Sequence, residues 1–330
     1  MKRWIAGCIS LFLAMSLTAC GAAEPIGQTP ETSSSTSVQS STATPNTTQP
    51  PAQTKPPEST QGEPYLVYSP YVVKTTVREY LGDDYDLYCK MVDSVINYDG
   101  YVSGFSSEEQ FFNLWRIMRE EWPPAQMVCA NYGTTDEPYT YKDGACQIAF
   151  QYDRSEHDQV IQAFSDRITK DLSCVNKGDT EVEMIAKLYM HASTEMNYAY
   201  GSGFLYECIM NNSGICNNYA EYLILLLSQA GIECYLAGGS GAGIDHAWVI
   251  AKMNGQFYHF DPTWENASRN WAWFAIDDEL RHASLDPSEL GTLQTYGDWD
   301  YETNTWLPPQ VCPESFCQDT REDDMPPWKW

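Results

Sequence analysis

Basic residues are scarce in this chain, which has 19 lysines and arginines against 45 aspartates and glutamates. If Lys2 and Arg3 leave with an N-terminal signal, 17 remain against 45, a net charge of −28. Nucleic-acid binding depends on clustered lysine and arginine side chains that neutralise phosphates. The composition therefore argues against a nucleic-acid partner and instead predicts an acidic, well-solvated surface.

Metal-binding and membrane-spanning patterns are also missing. The 11 cysteines include no CxxC pair and no Cys/His cluster with zinc-ligand spacing, which argues against a structural zinc site. Beyond the N-terminal region, no stretch is long and apolar enough to span a bilayer. We therefore expect no metal and no organic cofactor.

The first 64 residues have the pattern of a secretion signal followed by a tether. A basic start, an apolar stretch over residues 4–17 and small residues before Cys20 are typical of a cleaved signal over residues 1–19. The segment LTAC resembles the lipobox of bacterial lipoproteins, so Cys20 is the expected lipidation site. Ordinary cleavage without a lipid is the alternative. Residues 20–64 are rich in Ser, Thr and Pro and predict a lipid anchor with a disordered stalk.

Residues 65–172 predict a mixed α/β accessory region. A capping box beginning at Ser106 predicts a helix that ends at Pro123. The DG dipeptide at position 143 predicts a hairpin, and a second amphipathic helix follows. We find no catalytic cluster here, and we expect His157 to lie on a solvated face.

Residues 173–330 contain the stretch GICNNYAEYLILLLSQAG, which predicts a helix from about residue 215 to 229 with Cys216 in its first turn. Backbone N–H groups in a first turn are unpaired, and the helix dipole there favours a thiolate, the nucleophilic form of cysteine. Cys216 is thus a candidate nucleophile. A disulfide to Cys208 or Cys234 is the alternative.

Cysteine parity is compatible with a free thiol. Nine cysteines remain once Cys8 leaves with the signal and Cys20 carries a lipid. Outside the cell, eight of them can form four disulfides and leave one thiol free. The candidate pairs are Cys312 with Cys317 and Cys129 with Cys146. Simple burial of several free thiols is the alternative.

The segment DHAWVIAKMNGQFYHFDPTW predicts a two-residue hairpin at its NG dipeptide. The resulting register sets Ile250 opposite His259 and Trp248 opposite Asp261. His246 then shares a face with Asp261, one diagonal step of about 7–8 Å away. His246 as a packing residue, Asp261 as a turn cap and His259 as a rival base are the alternatives.

These residues suggest a Cys216–His246–Asp261 triad. The imidazole would take the thiol proton, and the carboxylate would orient the ring and stabilise its charged form.

Three blocks of the sequence, GICNNYAEYLILLLSQAGIECYLAGG, HAW and NGQFYHFDPTW, resemble the bacterial transglutaminase-like superfamily over about residues 180–285. The resemblance implies an α+β, papain-like core in which a Cys-bearing helix packs on an antiparallel sheet. It implies that Cys216, His246 and Asp261 are catalytic and that acyl transfer passes through a thioester. The Cys216 backbone N–H would be the first oxyanion donor, with Tyr198 or Tyr200 a candidate for the second. Asn218 stands where relatives commonly have Gly.

We therefore expect a monomeric, extracytoplasmic enzyme, lipid-anchored to the bacterial cell membrane. It would be a peptidase, deamidase or transglutaminase acting on protein or peptidoglycan peptides. A non-catalytic binding or scaffold module, or an adhesin, is the alternative.

Overall fold

The computed structural model describes residues 64–200, 203–241, 244–283, 298–300, 305–307 and 316. Within the other ranges fall the predicted signal, the stalk, the lipidation site Cys20 and the candidate pair Cys312–Cys317, so these predictions lie outside the described residues. The described residues all belong to one compact unit. The predicted boundary at residue 172 stays a prediction.

Helices account for most of the regular structure. The helices are α1 (Thr75–Leu81), α2 (Tyr85–Ile96), α3 (Glu108–Glu121), α4 (Pro123–Val128), α5 (Arg154–Leu172), α6 (Glu181–Glu195), α7 (Leu205–Met210), α8 (Cys216–Gln229), α9 (Pro262–Ser268) and α10 (Asp278–Ala283). A 3₁₀ turn, Gly82–Asp84, joins the first two. Among the described residues, no helix meets the length and apolarity that a membrane crossing requires.

The strands form small sheets. They are β1 (Tyr101–Ser103), β2 (Tyr139–Lys142), β3 (Ala145–Ile148), β4 (Asn197–Tyr198), β5 (Ser213–Gly214), β6 (Cys234–Gly241), β7 (Ile244–Met253), β8 (Gln256–Phe260), β9 (Asp298–Asp300) and β10 (Thr305–Leu307). The order β1-β3-β2 and the order β6-β7-β8 are both antiparallel, while β4 and β5 pair in parallel. The α+β class predicted from the sequence is confirmed.

The sheet β6-β7-β8 has two different faces. Helix α8 packs against β6 and β7, and alternate residues such as Val249, Ala251 and Phe260 join the main core. The intervening residues Trp248 and Ile250 belong to a separate buried cluster. This alternation follows from the two-residue repeat of a strand.

Both predicted hairpins form with the turn geometry that their dipeptides favour. Asp143 and Gly144 have φ values of 50° and 77°, and Asn254 and Gly255 have 51° and 81°. Two successive positive φ angles define the type I′ turn, whose twist matches that of paired strands.

Two local predictions are wrong. The N-cap of α3 is Ser107, whose hydroxyl accepts from the Gln110 backbone N–H at 3.1 Å, rather than Ser106. His157 is fully buried, with Tyr98 and Phe150 edge-on at 4.9 and 5.0 Å. Burial lowers the pKa of the His157 imidazole. The sequence periodicity of α5 did not reveal these two aromatic neighbours, because they come from distant segments.

A buried polar network ties α8 to the helices that precede it. The carboxylate of Asp171 in α5 accepts from Arg167 Nε at 2.8 Å and from the Tyr222 hydroxyl of α8 at 2.7 Å. His191 Nε2 of α6 lies 3.1 Å from the same carboxylate. Contacts between buried polar side chains of different helices favour one arrangement of the packed elements. The network therefore helps to set the position of the helix that carries Cys216.

Candidate active site

Cys216 is the first residue of α8, as the sequence predicts within one residue. The preceding residue, Ile215, is extended, with φ −100° and ψ 179°. Immediately upstream, β5 pairs with β4, so that Gly214 lies beside Tyr198. The Cys216 side chain is buried, with 5% of its surface exposed. The thiol thus sits at the positive end of a helix dipole, which favours its ionised form.

Asn218 closes the turn that presents Cys216. Its side-chain Oδ1 accepts from the backbone N–H of Ile215 at 3.1 Å, and the residue is buried. A Cβ added at Gly214 would lie 2.7 Å from the Asn218 Cβ, so only glycine permits this close approach. The departure Asn218, where relatives commonly have Gly, therefore has a structural role as a cap.

Replacing Asn218 by alanine should lower the free energy of unfolding by about 1 kcal/mol, because the Ile215 N–H loses its acceptor. Chemical denaturation of the two proteins measures this difference. Asn218→Asp is the control, since a carboxylate oxygen can replace the amide oxygen. Equal losses in both variants would contradict the capping role.

His246 and Asp261 are in direct contact. The observed register pairs Met253 with Gln256 and Ile250 with His259, as predicted. The β7–β8 ladder ends at Val249–Phe260, and Asp261 follows its last residue. The Nε2 of His246 and the Oδ2 of Asp261 are 2.7 Å apart, and their side chains are 8% and 0% exposed.

Asp261 has two functions in the structure. One carboxylate oxygen, Oδ2, contacts His246, while Oδ1 accepts from the backbone N–H of Trp264 at 3.0 Å. The residue is the N-cap of α9, with Pro262 at the first helical position. The capping alternative and the histidine-partner prediction are therefore compatible. A cap at this position also restricts the carboxylate to one rotamer, which fixes the direction in which it faces His246.

Positive charge keeps Asp261 ionised despite its burial. Burial alone would raise the pKa of this carboxyl, but His246 and then Arg281 outweigh it and hold the pKa below its usual value. The Nη2 of Arg281 lies 3.5 Å from the Asp261 Oδ2, and both side chains are almost fully buried. An ionised Asp261 can accept a hydrogen bond from the protonated Nε2 of His246 and stabilise an imidazolium.

Aromatic rings hold this group of charges. The imidazole of His246 stacks on Trp264, with ring centroids 4.7 Å apart and planes inclined by 11°. The Arg281 guanidinium lies 4.1 Å from the Trp248 ring centroid and 4.3 Å from that of Trp264. Cation–π contacts of this type favour a buried guanidinium. Burial lowers the pKa of Arg281, and the Coulomb attraction of Asp261 opposes this shift.

Three residues around the His246–Asp261 pair were not indicated by any sequence pattern: Arg281, Trp248 and Trp264. A single arginine in the acidic segment IDDELRH is a weak signal that could have been noticed. Its partner Asp261 is 20 positions away, and no periodicity links the two. His259 faces Ile250 as predicted. Tyr198 and Tyr200, the candidate oxyanion donors, are exposed and lie edge-on at 5.7 Å.

None of the seven cysteines of the described residues is in a disulfide. The expected pair Cys129–Cys146 is therefore not bridged, and neither Cys208 nor Cys234 forms a disulfide with Cys216. Burial raises the pKa of Cys208 to about 11. The simple-burial alternative describes these thiols better than the disulfide framework. Within the same described ranges, no group of three or more His, Cys, Asp or Glu side chains is arranged to hold a metal ion.

Residues 166–262 match the family model described as "Transglutaminase-like superfamily". The matched segment includes Cys216, His246 and Asp261 and ends one residue after the last of them. A search of curated proteins gave no match.

Three solved structures are similar to part of this chain. One is a candidate cysteine protease from Cytophaga hutchinsonii, 18% identical, covering 32% of this chain and 38% of that chain, with a TM-score of 0.27. The second is a TGase, 13% identical, covering 38% and 43%, with a TM-score of 0.28. The third is a candidate protease from Parabacteroides distasonis, 14% identical, covering 54% and 36%, with a TM-score of 0.28. This chain spans less than half of the length of each.

Proposed function

We propose that the transglutaminase-like domain, matched over residues 166–262, catalyses acyl transfer at amide bonds through Cys216, His246 and Asp261. The observation that carries this proposal is the buried 2.7 Å contact between His246 Nε2 and Asp261 Oδ2. It lies in a domain whose cysteine begins a helix packed on the same sheet. A nucleophile, a base and a group that orients the base are the parts that covalent catalysis requires.

The first half of the reaction would form a thioester. Because Asp261 engages Nε2, the other ring nitrogen of His246, Nδ1, takes the proton of the Cys216 thiol. The thiolate sulfur attacks the amide carbonyl carbon, and the backbone N–H of Cys216 donates to the oxyanion. The C–N bond then breaks while the imidazolium gives its proton to the departing amine.

The second half would release the acyl group. Water or a primary amine attacks the thioester carbonyl, His246 Nδ1 removes a proton from this nucleophile, and the sulfur leaves with its electron pair. Water yields a carboxylate, which is the outcome of a peptidase or deamidase. An amine yields a new amide, which is the outcome of a transglutaminase.

The proposal extends to the substrate and the location of the protein. We propose a protein or peptidoglycan peptide as substrate, and a monomeric enzyme held outside the cytoplasm by a lipid on Cys20. The Ser/Thr/Pro-rich stretch before residue 65 would act as a spacer between the lipid and the folded unit. The acidic composition suits an extracytoplasmic protein that stays dispersed.

Selective alkylation tests the nucleophile. Folded protein treated with iodoacetamide near pH 6 should be modified at Cys216 before the six other described thiols, because only a thiolate reacts rapidly. Peptide mapping by mass spectrometry identifies the labelled residue. His246→Ala should abolish the selectivity while leaving labelling at pH 9 intact.

Product analysis then identifies the reaction type. We would incubate the protein with a glutamine-containing peptide library and a primary amine probe, and read masses. A gain of the amine means transamidation, a shift of about one mass unit means deamidation, and fragments mean proteolysis. Two results together would favour the non-catalytic binding module: Cys216 reacts no faster than the other thiols, and none of the three product types is detected.

A further inference from the structure

Another buried histidine, His259, lies on the strand that leads to Asp261. The His259 side chain is fully buried on β8. Its Nδ1 accepts from the indole Nε1 of Trp248 at 2.8 Å, and its Nε2 lies 2.7 Å from the Asp278 Oδ1. These contacts form a chain from Asp278 through His259 to Trp248.

The indole determines the protonation of His259. An indole nitrogen is only a donor, so the Nδ1 that faces it must carry a lone pair. The proton of the neutral ring therefore resides on Nε2 and is donated to the Asp278 carboxylate. An imidazolium would set two N–H groups against each other at the Trp248 contact. The geometry thus selects one neutral tautomer, with a hydrogen bond at each nitrogen.

The chain connects to the triad through one short helix. Asp278 and Arg281 are both on α10, three residues apart and therefore on one face of the helix. Asp278 contacts His259, while Arg281 contacts Asp261 and lies over the Trp248 ring. The same helix thus reaches both histidine–aspartate pairs.

Backbone hydrogen bonds between His259 and Ile276 hold the start of α10 beside β8. The backbone N–H of His259 donates to the Ile276 carbonyl at 2.9 Å, and the Ile276 N–H donates back at 3.1 Å. Asp277 then accepts from the Leu280 N–H at 2.7 Å and caps the helix. The segment before α10 is therefore fixed to the edge of β8.

We propose that Asp278, His259 and Trp248 form a positioning chain that fixes the Trp248 indole and α10, and thereby holds Arg281 and Asp261 in place to orient His246. This inference rests on the proposed function of the triad. It assigns the three residues no contact with substrate. They act on the reaction indirectly, through the Trp248 ring that the Arg281 guanidinium contacts.

Ordinary core packing would not need these contacts. A phenylalanine at position 248 would fill the cluster with Ile250 and Ala237 without a polar atom. Instead, a buried indole N–H and a buried imidazole are linked to an Asp278 side chain that is 57% exposed. Each buried polar atom of this hydrogen-bonded chain needs a hydrogen-bond partner, and losing one partner would destabilise the fold. The same requirement fixes the orientation of the rings.

Nuclear magnetic resonance of the imidazole nitrogens tests the tautomer without any assay of activity. At neutral pH, ¹⁵N-labelled protein should show His259 with a protonated Nε2 and an unprotonated Nδ1. A protonated Nδ1, or a charged ring, would overturn the proposal. In Trp248→Phe the Nδ1 resonance should move, because its donor is gone.

The pH dependence of Cys216 alkylation tests the positioning role. Asp278→Ala, at a half-exposed site, is expected to fold and to slow alkylation near pH 6 by on the order of tenfold. At pH 9 the rates should converge, because the thiol then ionises without His246. Asp278→Asn should recover most of the rate, since its amide oxygen still accepts from Nε2. Trp248→Phe should show the same slowing.

Tyr235→Phe is the matched control, because it removes a hydroxyl from a residue packed on the same cluster and should alkylate like the original protein. An Asp278→Ala variant that alkylates at the original rate near pH 6 would overturn the positioning role. If labelling of the unaltered protein does not depend on His246, the proposed function fails instead. The tautomer measurement then still decides whether the hydrogen bonds from Asp278 through His259 to Trp248 exist.

Discussion

Replacing Cys216 by alanine is expected to remove acyl transfer, with a loss on the order of 10⁴-fold or more, because the proposed triad loses its nucleophile. The measurement is the release of p-nitrophenol from p-nitrophenyl acetate, with the ester in excess over the protein. The unaltered protein should give a burst equal to the concentration of folded chains, since each Cys216 thiol accepts one acetyl group. The variant should give only the rate of the buffer.

Cys234→Ala provides the control for this loss. Cys234 is also a buried thiol outside any disulfide, at the start of β6, and its Sγ lies 3.9 Å from the Ile224 carbonyl of α8. Both substitutions remove one sulfur from the same part of the molecule. Cys234→Ala should retain the burst, and this result would also exclude a functional Cys216–Cys234 disulfide. A full burst in Cys216→Ala would contradict the assignment of the nucleophile.

Local patterns predicted the elements that present the triad. The apolar run after Cys216 specified α8 within one residue, because helix periodicity and a Gly stop are short-range signals. The NG dipeptide specified the β7–β8 register, because a two-residue type I′ turn leaves little freedom. The meeting of His246 with Asp261 followed from that register by counting, and the structure contains this contact.

The surroundings of the triad could not be predicted in this way. Arg281 reaches Asp261 from α10, which is separated from the hairpin by α9 and an irregular stretch, so the contact depends on tertiary packing rather than on any repeat. His157 illustrates the same limit, since its helix pattern assigned it to solvent while distant aromatic rings cover it. Sequence patterns report which face of an element is apolar, and they do not report which element will cover the other face.

Replacing Arg281 by methionine should lower the free energy of unfolding by about 3 kcal/mol, because Asp261 would be left as a buried carboxylate with one positive neighbour fewer. Methionine keeps much of the apolar volume over the Trp248 and Trp264 rings, so the loss reports mainly on the charge. Denaturation by urea at pH 7 measures the difference. Arg281→Lys should recover part of it, since the charge returns without the planar group that stacks on the rings.

The same substitution should shift the dependence of stability on pH. The pKa of Asp261 is lower in the folded protein than its usual value, so its ionisation adds stability that is complete above the unfolded-state pKa of about 3.9. This contribution is lost as the pH falls through the lower folded-state pKa. Without Arg281 the folded-state pKa rises towards the unfolded-state value, so the stability lost on acidification should be smaller and its loss should be complete at a higher pH. Thermal unfolding measured from pH 7 down to about pH 2 tests this change.

Lys252→Met tests whether the stability lost in Arg281→Met depends on the burial of the ion pair or on the distance between its charges. Lys252 Nζ lies 2.8 Å from the Glu233 carboxylate, closer than the 3.5 Å between Arg281 and Asp261. Its pair is exposed, however, with side chains 42% and 27% accessible, against 1% and 0% for the buried pair. Water screens exposed charges and offers them an alternative partner. Lys252→Met should therefore change stability far less than Arg281→Met, although it breaks the shorter contact. Equal losses would mean that Asp261 is solvated in solution and that Arg281 does not act on the triad through its charge.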